Sequence, residues 1–256
     1  MELVGRRVVR TLHPVNFAEL RAWRGPLAPE GLLEELMIYG QYPDVLCHGQ
    51  ASERREYLRQ LTEDYLLRDI LSFENLKHAR KLRQLLQLVA WQTGHEVAMA
   101  ELAGHLQISK ATVERYLDLL EKSFVLRRIG GFSRNLRKEV TKSARYYFHD
   151  NGIRNAIVDQ FQPLSMRNDT GALWGALVIN ERIRRCDYER LERQSHFWRT
   201  YDQQEIDHVE TASDGTVEAF ECKWSPRSYS APKGWQRAYP EVSVHLVHRE
   251  NFGEWI

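Results

Sequence analysis

Cysteine is scarce in this sequence: Cys47, Cys186 and Cys222 stand far apart, with no CxxC pair among them. That argues against a disulfide framework or a CxxC-type zinc site and fits reduced thiols in a cytosolic protein. The ten histidines show no metal-ligand spacing either. No apolar run approaches the ~20 residues of a membrane span, and the opening MELVGRRVVRTL lacks the layout of a signal peptide. A soluble, cytoplasmic protein with no membrane partner is expected. Net charge is nearly missing too, because 36 Lys and Arg against 35 Asp and Glu leave +1. Any nucleic-acid signal must therefore be local. Low-complexity tracts and internal repeats are lacking.

What is present suits a chain of two or three domains, which 256 residues can supply. Residues 6–23 read as strand, turn and helix, with a break at Pro14. Asn16 is the expected N-cap, and Glu19 at capping-box spacing supports it. From about 29 to 93 the pattern is helical, with Tyr57, Leu58, Leu61, Tyr65, Leu66 and Ile70 near the helical period.

AMAELAGHLQISKATVERYLDLLEKSFVLRRI then gives a helix-turn-helix pattern. Leu102, Ala103 and Leu106 form one apolar face, Ile108 lies in the turn, and Ser109 caps a second helix that turns Val113, Leu117 and Leu120 inward. Two β-like runs, FVLRRI and ARYYFHD, flank the basic segment GGFSRNLRKEVTK, and a wing fits there. From Lys122 to Arg145 there are eight basic residues and one acid, Glu139. Such a local excess is what duplex DNA demands of a phosphate-tracking surface. Lys110, Thr112 and Arg115 are the expected groove-facing residues, with Arg134, Arg137, Lys138 and Lys142 on the backbone. The competing reading is a protein-docking module with a solvated basic loop.

Beyond residue 150 the pattern is α/β: a helix at 171–185, a strand near HFWRTY, a charged hairpin, a short helix near 232–239 and the strand EVSVHLVHR. The hairpin EIDHVETASDGTVEAFECKW holds the chemistry. If Ser213, Asp214 and Gly215 form its loop, with Gly215 left-handed, Asp207 falls opposite Glu221 and Glu205 opposite Lys223. A two-residue turn at Asp214 and Gly215 would instead pair Asp207 with Cys222 and destroy the site. In the first register two carboxylates face each other at about 5 Å, which favours a cation or proton between them. Asp207 and Glu221 are then candidate ligands for Mg²⁺ or Mn²⁺, and Lys223 could hold an attacking water. Glu181, on the preceding helix, is the candidate third acid. Ordinary readings stand beside these: an exposed Glu205–Lys223 pair, and a surface Glu181 supported by Arg184 or Arg185.

In this order, the helix-turn-helix, FSRNLRKEVTKSARYYFHDNGIRNAI, GALWGALVINERIRR, HFWRTYDQQEIDHVE and AFECKW resemble a family of bacterial and archaeal AAA-type ATPases. In that family a P-loop ATPase module is followed by a winged helix and a C-terminal domain similar to the PD-(D/E)XK restriction-endonuclease fold. YGQYPDVL looks like its Gly-Gly-aromatic-Pro segment with one Gly lost, and YLLRDIL resembles its helical region after the ATPase core. Two departures stand out. No G-x-x-x-x-G-K-[ST] occurs, so no ATP site is expected, and the chain reads as starting inside the ATPase module. The family's Gly-x-Leu-aromatic-Glu ends here in Gly175 instead of an acid, and Glu181, six residues on, cannot stand in for it.

The resemblance implies an α+β, multidomain chain: an ATPase-module remnant and helical segment over 1–90, a winged helix-turn-helix over 91–150, and a small nuclease-like α/β domain over 151–256. The leading expectation is a DNA-associated protein, the C-terminal portion of an AAA-type ATPase, that binds duplex DNA and carries a nuclease-like domain for which cleavage is not required. The alternatives are a metal-dependent endonuclease and an interaction module. Val8, Val9 and Leu12 further suggest self-association, or docking on a partner ATPase, through the N-terminal segment.

Overall fold

A computed structural model describes residues 10–25, 31–63, 79–133 and 144–256. Among these, eleven α-helices and a six-stranded mixed sheet form a mixed α/β fold. No helix among the described residues is long and apolar enough to cross a membrane. The extended run expected before Pro14 lies mostly outside the described residues, and Arg10–His13 form no strand.

Helix α1 (Phe17–Arg24) starts where the capping box places it. Asn16 Oδ1 accepts the Glu19 N–H, and Glu19 Oε2 accepts the Asn16 N–H, both at 2.8 Å. Helices α2 (Leu32–Tyr39), α3 (Pro43–Cys47), α4 (Ala51–Leu61) and α5 (Ala79–Trp91) follow. Of the expected helical stripe, Leu58 is fully buried, whereas Tyr65, Leu66 and Ile70 lie outside the described residues. Helix α6 (Met99–Leu106) buries Leu102 and Leu106. It ends at Gln107 in the left-handed conformation, and Ser109 Oγ then caps α7 (Lys110–Lys122) by accepting the Thr112 N–H at 3.1 Å. Val113, Tyr116, Leu117 and Leu120 turn inward from α7.

Strands β1 (Leu126–Gly131) and β2 (Ala144–Phe148) are antiparallel neighbours, and β1 also pairs in parallel with β3 (Arg193–Arg199). With β4 (Glu205–Ala212), β5 (Val217–Cys222) and β6 (Val244–Val247), the order is β2-β1-β3-β4-β5-β6. One sheet thus runs across residue 150. Helix α8 (Asn151–Ile157) follows β2, and the 20-residue α9 (Thr170–Glu189) lies along one sheet face. There Ala176, Ile179 and Ile183 pack on Ile129, Tyr147 and Phe197. Helix α10 (Lys233–Ala238) brings Trp235, with the adjoining Tyr239, against Trp198, Ile206, Val209 and Ala219 on the opposite face. Alternation along the strands makes this possible: Val209 and Ala219 point one way, Glu210 and Phe220 the other. Helix α11 (Phe252–Trp255) returns to α1, where Phe252 meets Phe17 edge to face at 4.9 Å between centroids.

Two segments distant in sequence lock together beside α9. Asp150 caps α8 through the Gly152 and Ile153 N–H groups and also accepts the Gln41 N–H at 2.6 Å. Gly40 has φ +75°, and a Cβ there would fall 1.9 Å from Asp150 Oδ1; one on Gly152 would fall 2.1 Å from Tyr39 O. Both glycines are required by this close approach.

Candidate functional site

The hairpin of β4 and β5 turns through a three-residue loop. Ala212 N donates to Thr216 O at 2.9 Å and Gly215 N to Ala212 O at 3.0 Å. Gly215 sits at φ +88°, where a Cβ costs roughly 1–2 kcal/mol. His208 pairs with Phe220, Val209 with Ala219, Glu210 with Glu218 and Thr211 with Val217. One step further along this ladder Asp207 stands opposite Glu221, the pairing that gathers the acids. On its other edge β4 is bulged. His196 pairs with Val209 and Trp198 with Ile206, so Phe197 alone faces both Asp207 and His208. A bulge re-aims side chains, and here it falls at the candidate acid.

Lys223 Nζ lies 2.6 Å from Glu221 Oε1 and 3.9 Å from Asp207 Oδ2. Asp207 Oδ2 also accepts the Cys222 N–H at 2.9 Å. Arg145 Nη1 is 3.9 Å from Asp207 Oδ1, while Arg145 Nη2 donates to Glu205 Oε2 at 2.7 Å. The Arg145 guanidinium is buried and centred 4.4 Å over the Phe197 ring. Glu205 thus pairs with Arg145 rather than resting as a surface partner of Lys223.

Burial sets the electrostatics. It raises the Glu221 carboxyl to about 7, with the Asp207 charge adding to the effect and Lys223 opposing it. Asp207 is also raised, because burial outweighs the stabilising pull of Lys223, the Cys222 amide and Arg145. For Lys223 burial works downward, and the two carboxylates more than offset it, so the ammonium is held above its usual range. Near neutrality the site is therefore a lysine cation set against two acids, one of which is only partly ionised.

Among the described residues no group of three or more His, Cys, Asp and Glu side chains is arranged to hold a metal ion. Asp207 and Glu221 remain a pair, and Glu221 Oε2 is buried without a hydrogen-bond partner. The buried Tyr229 hydroxyl is the neighbour of Glu221 there, so of the two acids it is Asp207, on the cavity wall, that a hard divalent cation such as Mg²⁺, which uses one or two carboxylates and takes its other ligands from water or substrate phosphate, could reach.

The cluster opens into a cavity of about 440 Å³. Glu205, Asp207, Lys223 and Arg227 line one side, Gly171, Ala172 and Gly175 of α9 another, and Thr93, Gly94 and His95 a third. Gly175 is thus on the α9 wall, and a Cβ built on it meets no atom within 4 Å. Glu181 is elsewhere. It is fully buried, accepting from Phe17 N at 2.8 Å, Gln41 Nε2 at 2.7 Å and Arg184 Nη1 at 2.8 Å. Six helical residues rise about 9 Å, which carries Glu181 past the cavity to a clamp between α9 and the α1 and α2 region.

Of the expected DNA-facing residues, Lys110 and Arg115 are exposed on α7. Lys110 pairs with Glu114 at 3.6 Å, Arg115 lies over the Tyr116 ring, and the Thr112 hydroxyl is within 2.8 Å of Ser109 Oγ. Arg134, Arg137, Lys138 and Lys142 lie outside the described residues, as do Val8 and Val9, while Leu12 is 91% exposed. Arg145 is the member of the site that sequence reading missed. The available signal was a charged residue inside the otherwise apolar run ARYYF, all five of whose residues are buried.

Two family descriptions match the chain: Domain of unknown function (DUF8612) over residues 30–164 and Domain of unknown function (DUF4143) over residues 170–251. Uncharacterized protein Rv2008c of Mycobacterium tuberculosis is 27% identical over 162 residues, covering 62% of this chain and 35% of that protein. An uncharacterized protein of Haemophilus influenzae is 24% identical over 165 residues, covering 61% of this chain and 41% of that protein. The chain therefore spans between a third and about two-fifths of the length of these curated relatives. No solved structure matches. Since the first family match takes in more than half of the residues, the chain belongs to the family described as Domain of unknown function (DUF8612) and carries a DUF4143 match after it.

Proposed function

We propose that this chain is a DNA-associated protein, similar to the C-terminal portion of an AAA-type ATPase, with a nuclease-like site of low or no turnover. The winged-helix reading of α6, α7, β1 and β2 supplies the duplex contact, and the PD-(D/E)XK reading of α9 and β3–β6 supplies the site. The observation that carries the proposal is the gathering of Asp207 and Glu221 around Lys223, with Asp207 and Lys223 lining one cavity and Glu221 buried behind them. A surface hairpin has no reason to bury Glu221 to 4% exposure beside Asp207.

Low turnover follows from Gly175, which leaves the α9 wall without a carboxylate, and from Lys223, whose ammonium already rests against Glu221. The exposed pairs on α7, Lys110–Glu114 and Lys122–Asp118, are each worth about 0–1 kcal/mol, so phosphate can compete for these lysines.

A second reading, a metal-dependent endonuclease, is favoured by the closeness of the Asp207 and Glu221 carboxyls, both within 3.9 Å of Lys223 Nζ. A divalent ion held at Asp207 would polarise a phosphoryl oxygen, and Lys223 would orient water or offset charge on the phosphate. An interaction module is the reading that remains if DNA does not bind.

Fluorescence anisotropy of a random-sequence duplex across a salt series, with EDTA present, tests the proposal. The expected result is a linear, steep fall of log affinity with log salt. Cleavage with Mg²⁺ or Mn²⁺ that disappears in Lys223→Ala would select the endonuclease reading. Failure to bind at low salt would select the interaction module.

A further inference from the structure

The cavity beside Asp207 has a wall that the hairpin does not provide. The turn between α5 and α6 places Thr93, Gly94 and His95 on it, and that turn is fastened at several points. Thr93 is buried and its hydroxyl donates to Ala90 O at 3.0 Å. The Glu96 backbone forms an isolated antiparallel β-bridge with that of Arg145, its side chain pairs with Arg199 at 3.0 Å, and Val97 N donates to Ala144 O at 2.9 Å. Gly94 abuts α9, since a Cβ on it would lie 4.0 Å from Ala172 Cβ.

We infer that this cavity takes one unpaired nucleotide unit of a single strand, and that the Thr93–His95 turn is the wall denying it a base-paired one. The inference rests on the DNA-associated reading above. Size is the first argument: about 440 Å³ falls in the lower half of the ~300–1,000 Å³ of small-ligand pockets. A base-paired nucleotide brings its partner strand and stacked neighbours, more than about 440 Å³ bounded on one side by Thr93, Gly94 and His95 can hold. A splayed nucleotide brings neither.

Lining chemistry is the second argument. Arg227 supplies a cation for a phosphate and Trp224 an aromatic surface, while the Glu205 and Asp207 carboxylates on the same lining are offset by Arg145 and Lys223. Gly171, Ala172 and Gly175 leave one stretch of the α9 wall with no side chain longer than a methyl group, Ile179 lining the next turn, so a flat base or sugar can lie against that stretch. Duplex held on α7 and a single strand in the cavity are compatible, as at a frayed or branched end.

The test uses the full chain with EDTA present and compares a short fluorescent oligothymidine with a blunt duplex of equal length. Gly175→Phe places a ring in open space beside Asp207. It is expected to weaken oligothymidine binding about tenfold, the scale of one lost base-stacking contact, and to leave duplex affinity unchanged. Glu96→Ala, which releases the turn from Arg199, is expected to narrow the difference between the probes. Thymidine monophosphate added to the unaltered chain should displace oligothymidine but not duplex, and this arm requires no variant to fold. If duplex binds while oligothymidine affinity ignores both the plug and the competitor, the inference is overturned and the DNA reading stands. If neither probe binds at low salt, the DNA reading fails and takes the inference with it.

Discussion

Glu221 and Lys223 lie two positions apart on one face, yet burial gives them a relation that a surface pair would not have. In the folded chain Glu221 keeps its proton to about pH 7, against 4.5 for the unperturbed group. Between those values the folded state binds more protons than the unfolded one, so this residue makes stability fall as pH rises through the window. Glu221→Gln is therefore expected to stabilise the fold by about 1–2 kcal/mol at pH 8 and by little at pH 4. Urea unfolding at the two pH values measures the difference, and equal increments at both would exclude a buried, proton-holding carboxyl. The acids and lysine of this cluster could be read from sequence because they lie on one hairpin. For Arg145 the apolar run ARYYF marked only a buried charge, and its partners depend on β1 and β3 coming together. Glu181 misled for a related reason: its partner Gln41 is 140 residues away, and helical spacing carries no information about that.

At the scale of elements, the hairpin depends on Gly215, whose φ of +88° shapes the loop. Gly215→Val should destabilise the protein by about 1–2 kcal/mol, read as a lower midpoint in chemical denaturation with unchanged slope. An unchanged midpoint would mean that the loop accepts another conformation and that the register is held elsewhere. Local chemistry made several boundaries legible: Asn16 with Glu19 for α1, Ser109 for α7, and the apolar spacing within α6 and α7. The long helix was expected to end at 185 and runs to Glu189. Arg190 closes it in the left-handed conformation, a cap usually marked by Gly or Asn, so the sequence held little warning of its place. The bulge opposite Phe197 was also invisible, because no glycine or proline in IDHV announces it.

At the scale of the molecule, packing does not stop where composition changes. Buried residues from Leu20 and Leu36 through Leu117 and Phe148 to Trp174, Phe220 and Phe252 belong to one apolar cluster. Phe252→Ala is expected to cost about 3–5 kcal/mol while leaving a single unfolding transition, followed together by helical circular dichroism and tryptophan fluorescence. Two separated transitions would show that the helical part and the sheet melt independently. Strand pairing from Gly130 to His196 was beyond sequence reading, because periodicity identifies strands without saying which of them adjoin.

The Phe17–Phe252 contact also bears on how the chain is made. Trp174 lies 5.2 Å from Phe252 as well, so α1 and α9 both wait for the same late residue. During synthesis the Phe17 ring lacks its Phe252 partner until residue 252 has left the ribosome. Meanwhile β1 offers an open edge until β3 emerges. Long-range closure of this kind is slow and leaves apolar surface exposed to other nascent chains. Production of this protein should therefore draw on chaperones more heavily than its finished stability would suggest.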